Sequence, residues 1–388
     1  MTRALRLAAI QLEVTPAPTP ERLARAQRLI EEAAQSGAQL IVLPEVFNTG
    51  YRYTAENYQR AEPIDGATVM WMKELAARLN VHLAGSILLR DHDDIYNALL
   101  LVAPDRQMWR YDKKYPWAWE RAYFRAGRGI TIAHTQLGDI GMMICWDCAH
   151  SELWQKYAGQ IDLMLISSCP PDVSNSVYQL PDGNRVTFDD LGPLMRTMKG
   201  SAPRVFAEGI NRQAAWLGVP VINTVGCGQF TSAIPNGPGS LLLMAPFAPW
   251  LLKYMPQAGA VQITCSMTPG GKIVNHAGKV VAQLDAAQGE AFVIGTIEIT
   301  AKRHHPIGPQ PASPVPWITY LASDVILPFI SRPLYRRGVR ALPDRSTRAI
   351  DFAWLKWLIA IGLSGLIGLW LAVLWQQRRL FISKNQDR

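Results

Sequence analysis

Two rhythms of apolar residues run through the first 300 positions. Nearly continuous apolar runs at 5–12, 39–43, 81–88, 96–102, 140–145, 161–167, 219–224 and 291–299 read as buried strands. Between several of them, apolar residues recur every three or four positions, as at Leu23, Ala26, Leu29, Ile30 and Ala33. That spacing predicts a helix over 20–36, stopped by Gly37. Further helices are expected over 66–79, from 151 onward and over 202–217. Other neighbouring runs are separated only by turn residues. Pro104-Asp105 joins 96–102 to 107–111, Leu137-Gly138-Asp139 joins 131–135 to 140–145, and His276-Ala277-Gly278 divides 272–282. Hairpins mixed with helical crossovers predict a layered α/β sandwich rather than a doubly wound parallel sheet.

The pattern changes after 300. The stretch 304–316 is rich in proline and reads as a linker. Residues 317–330 are apolar but short, and Asp324 and Pro328 break them, so an interfacial or shallow re-entrant segment is expected. From Trp357 to Trp375 the chain carries no charge, and as a helix this run reaches about 28 Å. Trp354, Trp357 and Trp375 stand where interfacial aromatics belong. The expected organisation is a catalytic domain over 1–300 with an apolar insertion at about 228–264. A Pro/Arg-rich linker over 301–353, a transmembrane helix over 354–376 and a short basic tail over 377–388 complete it.

Charge narrows the choice of partner. The chain has a formal net charge of +8, but its basic residues do not line a binding face. They gather late, at Arg332, Arg336, Arg337, Arg340, Arg345 and Arg348, and again at Arg378, Arg379, Lys384 and Arg388. Both groups flank the apolar run, which favours anionic lipid over nucleic acid. The opening residues turn polar too quickly for a secretion signal. The five cysteines form an odd set without framework spacing. A cell-membrane, single-pass protein with a cytoplasmic catalytic domain and reduced thiols is expected.

The chemistry gathers at strand ends. One apolar run stops at Cys145, another is followed by Pro44 and Glu45, and Lys113 follows the third. A free thiol is a poor nucleophile at neutral pH until its proton is removed or its thiolate is steadied. Glu45 is the candidate general base, for which burial has to raise its pKa. Lys113 is the candidate for steadying thiolate and oxyanion charge, with the backbone N–H of Trp146 beside it. Such a set suits acyl transfer from an amide or nitrile carbon to sulfur, followed by attack of water.

The local wording around these residues resembles the nitrilase (carbon–nitrogen hydrolase) superfamily over roughly 5–299. Leu43-Pro44-Glu45 resembles its glutamate motif, and Lys113-Lys114-Tyr115-Pro116-Trp117 its lysine motif. Glu120-Arg121 and Phe124-Arg125-Ala126-Gly127 resemble the family's residues just downstream of that lysine, and Gly141 to Asp147 with Glu152 resembles the cysteine motif. The resemblance implies a four-layer α-β-β-α sandwich, a Glu45–Lys113–Cys145 triad and self-association into a dimer or larger homo-oligomer. It also implies that Glu120 is a second carboxylate that positions substrate or Lys113. The chain departs from the pattern at Trp216-Leu217, where a Glu-Asn pair is common. It also departs in two insertions, 170–200 and 228–264. The second is apolar enough to suggest a membrane-facing lid, and with it an amphipathic or lipid-derived substrate.

Other readings compete. Cys145-Trp146-Asp147-Cys148 has C-x-x-C spacing, but no second Cys or His pair accompanies it, so neither a metal nor a redox cofactor is expected. The same triad could pass the acyl group to an amine, as an N-acyltransferase does. A non-catalytic membrane scaffold on a hydrolase fold is the third possibility.

Overall fold

The computed structural model describes residues 2–342, apart from 301–303 and 307. The described residues fall within one compact unit. The expected spanning helix over 354–376 and the basic tail over 377–388 lie outside the described residues. Among those described, no helix is long and apolar enough to cross a membrane.

Alternation along the strands sets the architecture. On β1 (Thr2–Glu13), Ala8, Ile10 and Leu12 pack against helices Thr19–Gln35 and Ala67–Leu79, in contact with Ala26, Leu29, Ile30, Val69 and Met72. The intervening Leu5, Leu7 and Ala9 face a second sheet, in one cluster with Met142, Ile144, Met164 and Ile222. A period of two places successive side chains on opposite faces, so one strand serves both layers.

The first sheet runs β5 (Met108–Asp112), β4 (Asp94–Val102), β3 (His82–Asp91), β2 (Leu40–Val42), β1 and β16 (Ala291–Thr300). The second runs β6 (Ile132–Thr135), β7 (Gly138–Ile144), β8 (Leu163–Ser168), β11 (Val221–Cys227), β14 (Lys272–Val274) and β15 (Val280–Gln283). The two halves join through β1 and β11, where Leu12 and Glu13 pair with Gly226 and Cys227. Helix Ser151–Tyr157 and helix 201–217 contribute Leu153, Trp154, Ala214 and Leu217 to the core of the second half. The result is the four-layer α-β-β-α sandwich.

The two insertions form one structure. Val177–Gln179 (β9) pairs with Arg185–Thr187 (β10) and with Gln262–Ser266 (β13), which pairs with Gln229–Ala233 (β12). This small sheet carries helix Gly237–Met244 and the turn-rich run Pro249–Ala260. The apolar stretch 241–255 is divided in its exposure. Leu241, Met244, Leu251 and Tyr254 are buried, whereas Leu242, Phe247, Trp250 and Leu252 are exposed.

Four features go beyond the sequence reading. The boundary at 300 falls inside the compact unit. The proline-rich stretch packs on the sandwich, because side chains satisfy its carbonyls: Gln213 donates to Pro311 at 3.1 Å and Trp216 to Gly308 at 3.3 Å. Residues 317–330 open a helical segment, 317–340, whose inner face is buried at Ile318, Thr319, Ser323, Pro328, Ser331 and Val339. A protein surface, absent from any reading of local hydropathy, covers that face. Finally, helix 201–217 is interrupted by a π-helical turn at Val205–Gly209.

Candidate active site

The strand ends of the sandwich converge. β2, β5 and β7 all stop at the same edge, and Glu45, Lys113 and Cys145 follow within three residues of those ends. All three are buried, Lys113 completely. The Lys113 ammonium donates to Oε1 of Glu45 at 2.7 Å and to Oε2 of Glu120 at 2.6 Å. The structure therefore gathers Glu45, Lys113 and Glu120 into one ionic cluster. Cys145 couples electrostatically to all three.

Each charge is held by neighbours of its own. Glu45 Oε1 also accepts from Asn97 Nδ2 at 2.6 Å, and Oε2 accepts the backbone N–H of Cys169 at 2.8 Å. Asn97 is fixed in turn by Ser86, whose hydroxyl donates to Asn97 Oδ1 at 2.8 Å. Glu120 Oε1 accepts from Tyr51 at 2.8 Å, and Oε2 from the Trp117 N–H at 2.7 Å. Gly127 donates its N–H to the Lys113 carbonyl at 2.8 Å. A Cβ on Gly127 would sit 2.2 Å from the Asp112 carbonyl oxygen, so only glycine permits that approach.

Backbone strain marks the same residues. Val46, Ala118 and Cys145 have φ of 46°, 47° and 47°. Non-glycine residues in this region cost about 1–3 kcal/mol each and persist where the surroundings over-determine them. Val46 follows Glu45, Ala118 lies between Lys113 and Glu120, and Cys145 is itself the strained residue. Asp147 is the nearest clamp on Cys145. Its Oδ2 accepts from Tyr111 at 2.8 Å and from the Ile144 N–H at 3.1 Å, and Oδ1 accepts the Tyr115 N–H at 2.8 Å.

Electrostatics define the resting protonation. Burial pushes the Cys145 thiol well above the ordinary range, and Glu45 and Glu120 push it further; Lys113 opposes them and is outweighed. Lys113, the candidate for steadying thiolate and oxyanion charge, is thus the neighbour that favours the thiolate form of Cys145. Burial would lower the Lys113 ammonium, but Glu120 and Glu45 hold it well above its usual value. Burial raises Glu120, against the pull of Lys113.

A cavity opens over Cys145. Trp117, Trp146, Val173, Met198, Phe206 and Thr319 are among its walls. The lining is mostly apolar, with Val173 and Met198 contributed by the first insertion and its flank. Trp146 Nε1 donates to Asp324 at 3.0 Å. Cys148 is buried behind the loop, and both it and Cys145 are free thiols.

Sequence reasoning missed Asn97, Tyr51, Asp147 and Asp324. Asn97 was visible as a polar interruption in an otherwise apolar strand, and Asp324 as the one charge within an apolar segment. Nothing around Tyr51 distinguishes it.

The carbon–nitrogen hydrolase family matches residues 6–181. The omega-amidase NIT2 of Danio rerio is 33% identical over 164 residues, covering 39% of this chain and 58% of that protein. A nitrilase of Pyrococcus abyssi is 29% identical over 147 residues, covering 37% of this chain and 56% of that protein. The chain thus spans a little over half the length of these curated relatives. Among solved structures, XC1258 of Xanthomonas campestris is a CN-hydrolase superfamily protein with an arsenic adduct in its active site. It superposes with a TM-score of 0.54 at 20% identity, over 77% of this chain and 91% of that one. An amidase from Nesterenkonia sp. AN1, with an acetamide moiety added at its active-site cysteine, gives 0.54 at 14% identity, over 75% and 89%. These likenesses establish the fold. Motifs, strand-end geometry and family match converge, and residues 6–181 of this chain are similar to the carbon–nitrogen hydrolase family.

Proposed function

We propose that this chain hydrolyses a non-peptide C–N bond, that of an amide or a nitrile, through a thioester at Cys145. The observation that carries the reading is the bridging of Glu45 and Glu120 by the buried Lys113 ammonium, at the strand ends where the strained Cys145 also sits. For an amide, Glu45 takes the thiol proton as sulfur attacks the carbonyl carbon. Lys113 and the Trp146 N–H balance the charge developing on oxygen. The C–N bond breaks, Glu45 returns the proton to the leaving amine, and water then cleaves the thioester to release the acid and regenerate the thiol. Glu120 holds Lys113 from the opposite side. The omega-amidase and nitrilase relatives support the same chemistry.

The substrate we assign is amphipathic, with an apolar acyl part. Support comes from the apolar walls over Cys145 and from Leu242, Trp250, Leu252, Trp317, Val325 and Phe329, all exposed on the added elements. Exposed Arg332, Arg336, Arg337 and Arg340 follow on helix 317–340, and the sequence then enters the uncharged run Trp357–Trp375. On this reading the chain is anchored in the cell membrane by that run, rests on anionic lipid and self-associates. Five buried free thiols fit a cytosol-facing domain.

Intact-protein mass spectrometry after exposure to a panel of amides, nitriles and acyl donors tests the chemistry. An acyl adduct that water discharges, and that Cys145→Ala never forms, is the expected result. No adduct with any donor would refute it. Discharge to amines but not to water would make the chain an acyltransferase instead.

A further inference from the structure

The strained turn at Cys145 is held from two sides, and only one of them lies in the segment that carries the family match. Asp147 holds the inner side. The outer side is held by Asp324, far beyond residue 181, on helix 317–340. One carboxylate oxygen of Asp324 accepts from Trp146 Nε1 at 3.0 Å, and the other lies 2.9 Å from His150 Nε2. The second nitrogen of His150 lies 3.1 Å from the Trp146 carbonyl oxygen. Both ring nitrogens thus face oxygen atoms.

These contacts close a ring around one residue. Trp146 supplies the N–H next to the nucleophile, and its own side chain and carbonyl are tied, directly and through His150, to Asp324. Tyr115 stacks flat on His150 with centroids 3.6 Å apart, which joins the lysine loop to the same support. Tyr320, one helical turn before Asp324, donates to the Ala149 carbonyl. Thr319 of the same turn reaches the wall of the Cys145 cavity. Asp324 and His150 are both largely buried. A pair withdrawn from solvent is far less screened than a surface one, and losing one partner strands the other.

The geometry points to Asp324 as a positioning residue for the nucleophile loop: helix 317–340 completes the active site by fixing Trp146 through its indole and through His150. This rests on the hydrolase reading. Asp324 touches neither thiol nor substrate. Its effect is to hold the Cys145–Trp146 turn in its strained conformation, with the Trp146 N–H aimed where oxyanion charge develops. A donor displaced by even 1 Å is costly, because preorganised geometry supplies much of the rate.

The test uses the full-length chain and p-nitrophenyl hexanoate as acyl donor, with acylation at Cys145 followed by quenched-flow mass spectrometry. Asp324→Asn keeps shape and an acceptor for Trp146 but removes the charge facing His150. It is expected to slow acylation at saturating donor by about tenfold or more, with the half-saturating donor concentration little changed. Tyr335→Phe is the control for helix docking, since the Tyr335 hydroxyl lies 2.9 Å from Asp94 Oδ1 and accepts the Ile95 N–H at 3.0 Å, at the far end of the helix. It is expected to lower the melting temperature while leaving the acylation rate unchanged. Equal acylation in Asp324→Asn and wild type overturns the proposal. So does a loss that Tyr335→Phe reproduces at matched stability, because docking alone would then explain it. A wild-type chain that takes no acyl group removes the hydrolase reading, and this proposal with it.

Discussion

Asn97 and Lys113 donate to the same oxygen of Glu45, at 2.6 and 2.7 Å. Both donors sit on neighbouring strands, β4 and the end of β5, and the backbone joins them as well, since the Lys113 N–H donates to the Asn97 carbonyl at 2.9 Å. The carboxylate that must accept a proton is therefore oriented by a neutral amide as much as by the ammonium.

That relationship makes Asn97 testable. Asn97→Ala strips one hydrogen bond from Glu45 and leaves the buried Ser86 hydroxyl without its acceptor. Unfolding stability should fall by about 1–3 kcal/mol. Turnover should fall by more than the stability loss explains, measured on protein shown to be folded by circular dichroism. Wild-type kinetics in Asn97→Ala would remove Asn97 from the site.

Cys145→Ala should abolish adduct formation and keep the fold, since one small buried-type residue replaces another. Glu45→Gln should be nearly as damaging to turnover. The amide keeps an oxygen for Lys113 but cannot take a proton. Near-normal rates in either variant would dismantle the triad.

The thiols predict a pH dependence. Burial raises Cys145, Cys148 and Cys169 well above the ordinary thiol range in the folded state. A group whose folded value lies above its unfolded value gives its full contribution below the unfolded value of about 8.5 and loses it as pH rises beyond. Melting temperature should therefore decline above about pH 9. Replacing Cys148 and Cys169 by Ala should flatten that decline, and an unchanged slope would show that these thiols do not cause it.

Gly127→Ala should disrupt the site without touching a charged group. The new Cβ meets the Asp112 backbone, which cannot rotate away, so the Lys113 loop must move. A loss of turnover greater than tenfold is expected, with a lower melting temperature. An active, fully stable Gly127→Ala would show that the loop yields freely.

Membrane attachment is checked by fractionation. The full chain should stay with membranes after an alkaline carbonate wash, and release by that wash would exclude a spanning anchor. Trp250→Ser with Leu252→Ser should lower turnover of long-chain amides and spare short ones. Equal effects on both would separate the exposed insertion residues from substrate choice.

Much of this molecule was readable along the chain. The nearly continuous apolar run in 5–12 and the three-to-four spacing in 20–36 specify their elements locally, because each face needs only an apolar surface to cover it. Glu45, Lys113 and Cys145 were legible for the same reason: each sits where an apolar run stops and polar wording begins. What tertiary structure alone decided is which distant pieces meet. Two insertions with no common pattern became one sheet when Val177–Gln179 paired with Gln262–Ser266. An apolar segment read as lipid-facing turned its inner face to protein and placed Asp324 behind the nucleophile. Strand and helix signals are local sums over neighbours in sequence, whereas a hydrogen bond between Trp146 and Asp324 spans 178 positions and exists only once the chain has closed around it.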